Sequence, residues 1–429
     1  MRTFASEEKE DRMRKKIEIM APVGSREALM AAIQAGADAV YFGIGHLNMR
    51  SRSTVNFSLE DLADITRICR AHKVHTYLTV NTVVYSEEVD VVHRLLDEAK
   101  AQKVSAVIAS DWAVILAARE RGLRVHISTQ CNVTNLEAVR FFAHYADVMV
   151  TARELNLSQV ASLCRSIREE NITGPGGELV QLEIFAHGAL CMAVSGKCYL
   201  SLDNLHASAN RGACLQPCRR KYEVRDADNE MDLLVSGKYI LSPKDLCTIG
   251  FLDKVLESGV SILKIEGRGR SAEYVKTVTQ CYKEAAAACL DGSYGEEKVK
   301  GWMQRLRNVY NRDFWDGYYL GRRMGEWTER YGSQARKTKL YAGRVTNYFS
   351  KIQVAEICIE GNALHTGDEI LVTGPATGVY EDRVREVRVE LQNVEEAEKG
   401  TLCSIPVQAK LRRNDKVYRL VPTCDSEVY

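Results

Sequence analysis

Eight short apolar runs punctuate the first two thirds of the chain: IEIMAPV (17–23), AVYFG (39–43), VHTYLTVN (74–81), AVIAS (106–110), RVHIST (124–129), VMVTA (148–152), LVQLEIFA (179–186) and ILKIEG (262–267). They are rich in β-branched and aromatic residues and too short for buried helices. Apolar residues at nearly every position leave no wet face, as expected of strands covered on both sides in a parallel sheet. The stretches between them space their apolar residues as helices do: SREALMAAIQAGA (25–37), SLEDLADITRICRAHK (58–73), DVVHRLLDEAKAQK (90–103), AVILAARERG (113–122), ELNLSQVASLCRSIREE (154–170) and SPKDLCTIGFLDKVLESG (242–259). Eight β-α units predict an α/β fold, a (β/α)8 TIM-like barrel, with a doubly wound open sheet as the alternative.

In such a barrel the loops at the carboxyl ends of the strands build the site. After the seventh candidate strand comes a long insertion, 188–242, and loops of that length in a compact domain are usually functional. It carries Cys191, Cys198, Cys214 and Cys218 in a C-x6-C-x15-C-x3-C array, with Gly188, Gly196 and Gly212 available for sharp turns. Four thiols this close in sequence suit an iron–sulfur cluster, a structural zinc, or no metal at all. Zinc favours closely paired knuckles, and only Cys214/Cys218 resembles one. Cys247 is a reserve ligand, and the scattered thiols read as small core residues.

The strand ends supply the other candidates. Asn48, Arg50 and Arg52 follow strand two, Asn81 ends strand three, Gln130 and Asn132 follow strand five, and Lys264, Glu266, Arg268 and Arg270 follow strand eight. Arginine binds carboxylates through its planar fork, so Arg50, Arg268 and Arg270, with Asn48, Gln130 and Asn132, are candidate ligand-binding residues. His187, Glu183, Lys264 and Glu266 are candidates for proton transfer or charge pairing. Strand alternation places Glu183, Phe185 and His187 on one face, and a barrel-facing Glu183 needs a cation such as Lys264 or Arg268. Tyr41, Tyr77 and Tyr199 are candidate stacking faces.

At 429 residues the chain exceeds one ordinary domain. The expected layout is a charged, flexible lead-in (1–15), the barrel (16–295), a helical and aromatic linker (296–336) and a small antiparallel β-barrel (337–429). With 58 Lys+Arg against 57 Asp+Glu, any anionic partner must be met by local clusters, such as Arg211, Arg219, Arg220 and Lys221, or Lys339, Arg344, Lys410, Arg412 and Arg413. No apolar run is long enough to span a membrane, and thiol-rich composition points to a reducing, cytoplasmic setting.

The segment EIFAHGALCMAVSGKCYLS (183–201) resembles the signature of the U32 family, long labelled peptidases or collagenases. APVGS (21–25), GADAVYFG (36–43), TVNT (79–82) and KIEGRGRS (264–271) extend the resemblance over roughly 16–290. The resemblance implies a [4Fe–4S] cluster on the four cysteines. The two-domain layout further resembles the branch that hydroxylates the wobble uridine of tRNA, with prephenate, a small dicarboxylate, as the implied oxygen source. A sister branch hydroxylates a 23S rRNA cytidine, and another acts in oxygen-independent ubiquinone synthesis. The ubiquinone branch has its fourth ligand further downstream, where this chain carries Val235–Ser236, so Cys218 is expected here. That branch normally needs a partner subunit and lacks a comparable tail, so no obligate protein partner is expected. The tail resembles the second domain of translation factors and implies an RNA grip. As a protease the chain has neither an HExxH helix nor a Gly-x-Ser-x-Gly elbow, which leaves only a cysteine paired with His187. A non-catalytic RNA-binding factor stapled by metal is the remaining alternative.

Overall fold

The computed structural model describes residues 17–52, 56–223, 239–322 and 325–423; the expected lead-in 1–15 and the Val235–Ser236 pair lie outside them. All eight candidate strands form, as β1 (Glu18–Pro22), β2 (Ala39–Gly43), β3 (His75–Val80), β4 (Ala106–Ala109), β5 (Val125–Ile127), β6 (Val148–Val150), β7 (Gln181–Ala189) and, after β8 (Asp245–Cys247), β9 (Ile262–Ile265). Neighbours pair in parallel from β1 to β7, and β9 pairs with both β7 and β1, which closes the ring and excludes the open sheet. Helices α1 (Arg26–Gln34), α2 (Asp61–Ala71), α3 (Val89–Ala101), α4 (Trp112–Glu120), α5 (Leu136–Ala143) and α6 (Leu157–Glu169) alternate with the strands. Their polar N-caps are where the sequence supplies them: Ser25 accepts from the Ala28 amide, and Asn135 accepts from the Ala138 amide.

The segment 242–259 departs from its helical reading. Its first part is β8, antiparallel to the end of β7 with His187 opposite Cys247, and helix is confined to a 3-10 turn (Ile249–Phe251) and α8 (Leu252–Glu257), downstream of α7 (Leu200–Leu205) in the insertion. The cause is non-local: β7 outruns its barrel neighbours, and its unpaired backbone is satisfied by the returning chain. The stretch 296–336 then packs on this corner. After α9 (Ala272–Asp291) and α10 (Glu296–Leu306), strand β10 (Phe314–Trp315) adds in parallel to β8, and the Tyr319 hydroxyl donates to the Phe185 carbonyl at 2.8 Å.

Gly188 shows how tightly the corner is built. It has φ +104°, and a Cβ there would lie 2.3 Å from the Glu266 carbonyl oxygen. Gly188→Ala is expected to cost about 1–3 kcal/mol in urea unfolding. Gly292→Ala, also at positive φ but with nothing within 4 Å, should cost less.

The C-terminal unit is an eight-stranded antiparallel sheet running between its end strands Gly378–Arg383 and Gln392–Val394, plus a two-stranded ladder. Ile370 and Val387, from distant strands, share one core with Ala342 and Ile357, which a flat sheet does not allow. Its outer face presents Leu371 and Val379 to Ala31 of α1 and Ala272 of α9. The Gln34 side chain donates to the Thr377 carbonyl (2.7 Å) and accepts from the Val379 amide (3.0 Å), fixing the sheet to the barrel flank. Among the described residues no helix is long and apolar enough to cross a membrane.

Candidate thiol centre at the barrel mouth

The insertion is folded down over the carboxyl ends of the strands and tied there at several points. Arg211 grips Glu88 through both guanidinium nitrogens (2.5 and 2.6 Å), donates to the Val83 carbonyl and stacks on Tyr85. Arg219 donates to the carbonyls of Leu190 (2.8 Å) and Pro243 (2.6 Å) and to the Ser242 hydroxyl (2.9 Å). Gly212, at φ +82°, sits so close to the loop after β2 that a Cβ would meet Ser51 Oγ at 2.0 Å. Asn132 donates to the Ser195 carbonyl at 3.2 Å.

The Glu88–Arg211 tie makes the insertion acid-sensitive. Arg211, aided by the Tyr85 amide, holds the Glu88 carboxyl down at about 2 against the opposing effect of burial. A folded-state value below the unfolded one, about 4.3, stabilises fully above that pH and is lost as pH falls toward the folded value. The hydrogen-exchange protection factors of residues 208–214 are therefore expected to fall as pH drops below about 4.3, and Glu88→Gln should remove that dependence.

Cys191, Cys198, Cys214 and Cys218 all line one cavity of about 170 Å³, whose floor is the barrel mouth. All four are free thiols. Burial pushes the Cys218 thiol up to about 11, opposed by Arg219 and reinforced by the three other cysteines, so the sulfurs sense one another. The donor set, four thiols lining one cavity, suits an iron–sulfur cluster or a zinc by its chemistry. Among the described residues no three cysteine, histidine, aspartate or glutamate side chains are drawn together as closely as in a formed metal centre.

Beneath the thiols lies a charged layer. Arg50 donates to Glu266 at 2.8 Å, and the Tyr41 hydroxyl donates to Glu266 (3.2 Å) and to the Ile265 carbonyl (2.8 Å). Burial alone would raise the Glu266 carboxyl, but Arg50, Arg153 and Arg268 outweigh it and hold it at about 2. Arg268 donates to Asn48 Oδ1 (3.0 Å) and Thr79 Oγ1 (2.9 Å), and burial lowers it to about 10. Lys264 donates to Glu183 at 2.7 Å inside the barrel and lies against the Tyr41 ring. The other Glu183 oxygen and His126 Nδ1 are buried without hydrogen-bond partners, 3.9 Å apart.

The sequence candidates divide accordingly. Arg50, Arg268, Glu266, Lys264, Gln130 and Asn81 line the cavity with the four cysteines, as does Tyr41. Asn48 is fully buried and orients Arg268, and Asn132, in left-handed backbone, clamps the insertion; neither lines the cavity. Arg270 stacks on Tyr310 and faces an adjoining lobe. That lobe holds five arginines (Arg50, Arg153, Arg219, Arg270 and Arg312) against the single carboxylate of Glu266, with Cys191, Cys214 and Cys218 on the shared wall.

His187 is a correction. The register between β7 and β9 slips between Phe185 and His187, and such a bulge turns the following side chain to the other face. His187 consequently packs outside the ring among Tyr274, Tyr282 and Phe314, where burial and Arg270 push it down to about 3. Cys247 is also turned away, buried in β8 against Met303 and Tyr282, and Tyr199 is exposed on the insertion. Tyr77 hydrogen-bonds Glu18 deep in the barrel. Arg153, which lines both lobes and lies over the Phe185 ring at 4.1 Å, was not among the candidates. Its position just past β6 obeys the strand-end rule that identified the others.

The model of peptidase family U32 matches residues 24–329, and the chain belongs to that family. It is 56% identical over 402 residues to a Porphyromonas gingivalis protein named collagenase, covering 94% of this chain and 97% of that one. It is 31% identical to a tRNA hydroxylation protein of Bacillus subtilis, covering 84% of each. It is also 31% identical to an Escherichia coli 23S rRNA 5-hydroxycytidine synthase, over 64% of this chain and 40% of that protein.

Proposed function

We propose that this U32 protein is a cytoplasmic RNA-modifying hydroxylase that forms 5-hydroxyuridine at the wobble position of tRNA. In this reading Cys191, Cys198, Cys214 and Cys218 hold a [4Fe–4S] cluster, and a prephenate-like dicarboxylate is the oxygen donor. The observation that carries it is the composition of the cavity: three of its four thiols share a wall with an arginine-rich lobe, and no histidine among the described residues lines either. The likeness to tRNA and rRNA hydroxylation proteins supports the same chemistry.

The bound cluster would supply a site for activating the oxygen-bearing group of the donor. Arg50, Arg153 and Arg270 bind the donor's carboxylates, with Glu266 holding Arg50 in place. Tyr41 and Phe185 line the cavity where a splayed-out base is received; an anticodon loop is single-stranded, so no duplex need melt. The donor's hydroxyl moves to C5 of the pyrimidine and the C5 hydrogen goes to the donor, which takes up the two electrons.

The relatives named collagenase favour a second reading, peptide hydrolysis. A cysteine protease needs a base beside its nucleophile, and His187, the base read from the sequence, lies on the far side of β7. The purified, cluster-loaded protein, given prephenate and tRNA from a strain lacking its gene, is expected to generate 5-hydroxyuridine and to leave gelatin intact. Gelatin cleavage that survives iron chelation, without nucleoside formation, would reverse the assignment.

A further inference from the structure

The arginine-rich lobe opens outward into a third cavity of about 440 Å³, and the two share Cys214, Gln216, Arg219 and Arg312. Among the described residues, five arginines line this outer groove and no aspartate or glutamate does. Arg219 and Arg312 are held by the fold, the first by backbone carbonyls and Ser242, the second by Asp245. Arg52, Arg220 and Arg330 are exposed, and so is Tyr331, at 61% of its surface. One flank of the Tyr331 ring stacks on Tyr239 at 6.3 Å, which steadies the ring beside the arginines.

We propose that this groove is the entry path for single-stranded RNA: Arg52 and Arg220 hold backbone phosphates, and Tyr331 stacks a base flanking the one delivered to the thiol cavity. The proposal rests on the RNA-hydroxylase reading and locates its substrate. An aromatic platform beside guanidinium groups, in a groove that no carboxylate among the described residues lines, suits nucleotides, since phosphates meet the cations while any base offers a face to the ring. An acidic peptide would use the cations alone. The path also bypasses the C-terminal sheet, whose Lys339 and Arg344 are engaged by Glu273 and Glu360.

The test is fluorescence anisotropy of the full-length, cluster-loaded protein with a labelled RNA stem-loop over a range of KCl concentrations. Arg52→Glu/Arg220→Glu and Tyr331→Ala, all at exposed positions, are compared with Lys410→Glu/Arg413→Glu on the tail. The groove charge reversal is expected to weaken binding about tenfold or more and to flatten the salt dependence by roughly 0.7 for each phosphate the groove no longer holds. Tyr331→Ala is expected to weaken binding about tenfold while leaving the salt slope unchanged. Groove variants that bind with wild-type affinity and slope, loss confined to the tail variants, or competition by poly-glutamate that Tyr331→Ala does not alter would each overturn the groove assignment while the hydroxylase reading stands. A wild-type protein that binds no RNA would remove the reading beneath it.

Discussion

Replacing any one of Cys191, Cys198, Cys214 or Cys218 by alanine is expected to abolish the proposed RNA hydroxylation and to strip the protein of iron, while the barrel should still unfold cooperatively. The four thiols belong to an insertion that lies over the strand ends, and none is part of the barrel core. Loss of one small side chain there leaves the ring of eight strands and its helices untouched, whereas a cluster held by four thiolates loses a ligand. Cys247→Ala is the internal comparison. That thiol is buried against Met303 and Tyr282, so its loss should cost about 1–2 kcal/mol of stability as a small core truncation, with iron and activity retained. Iron and sulfide content, activity and urea unfolding on the five variants separate the two roles. Iron loss in Cys247→Ala with retention in Cys218→Ala would exchange their assignments.

Glu183→Ala is expected to destabilise the protein by about 3–5 kcal/mol, because it leaves the Lys264 ammonium buried without its partner. Glu183 is 0% exposed and Lys264 5%, so little water is available to replace the lost carboxylate. The apolar double variant Glu183→Leu/Lys264→Met should recover most of the stability, since two buried charges are exchanged for packed side chains of similar size. It should not recover activity, because Lys264 lines the cavity. Urea denaturation measures both; a single-variant cost below about 1 kcal/mol would mean that the pair is solvated and exchanges freely with water.

That ion pair was legible in the sequence because both of its strands are regular, so alternation put Glu183 and Lys264 inside. The same alternation failed four residues after Glu183, at His187. The slip between Phe185 and His187 is a feature of pairing with β9, which no local pattern records, and it moved the histidine out of the site. The strand Asp245–Cys247 was hidden for a related reason: its three residues pair only with the overhang of β7 and with Phe314–Trp315, both distant in sequence. The barrel strands were readable because nearly continuous apolar runs need only their own composition to announce burial. Convergence of the four cysteines on one cavity was suggested by spacing, but the ties that produce it, Arg211 to Glu88 and Arg219 to Leu190, join segments with no sequence signal in common. Arg153 was missed despite standing where the strand-end rule looks.

The most direct test quantifies 5-hydroxypyrimidine nucleosides by mass spectrometry in separately purified tRNA and ribosomal RNA, from cells lacking the gene and carrying either wild type or Cys191→Ala. Loss of 5-hydroxyuridine from tRNA that only wild type restores is the expected result. A loss confined to ribosomal 5-hydroxycytidine would transfer the same chemistry to another RNA, and unchanged nucleosides in both fractions would contradict RNA hydroxylation by this protein.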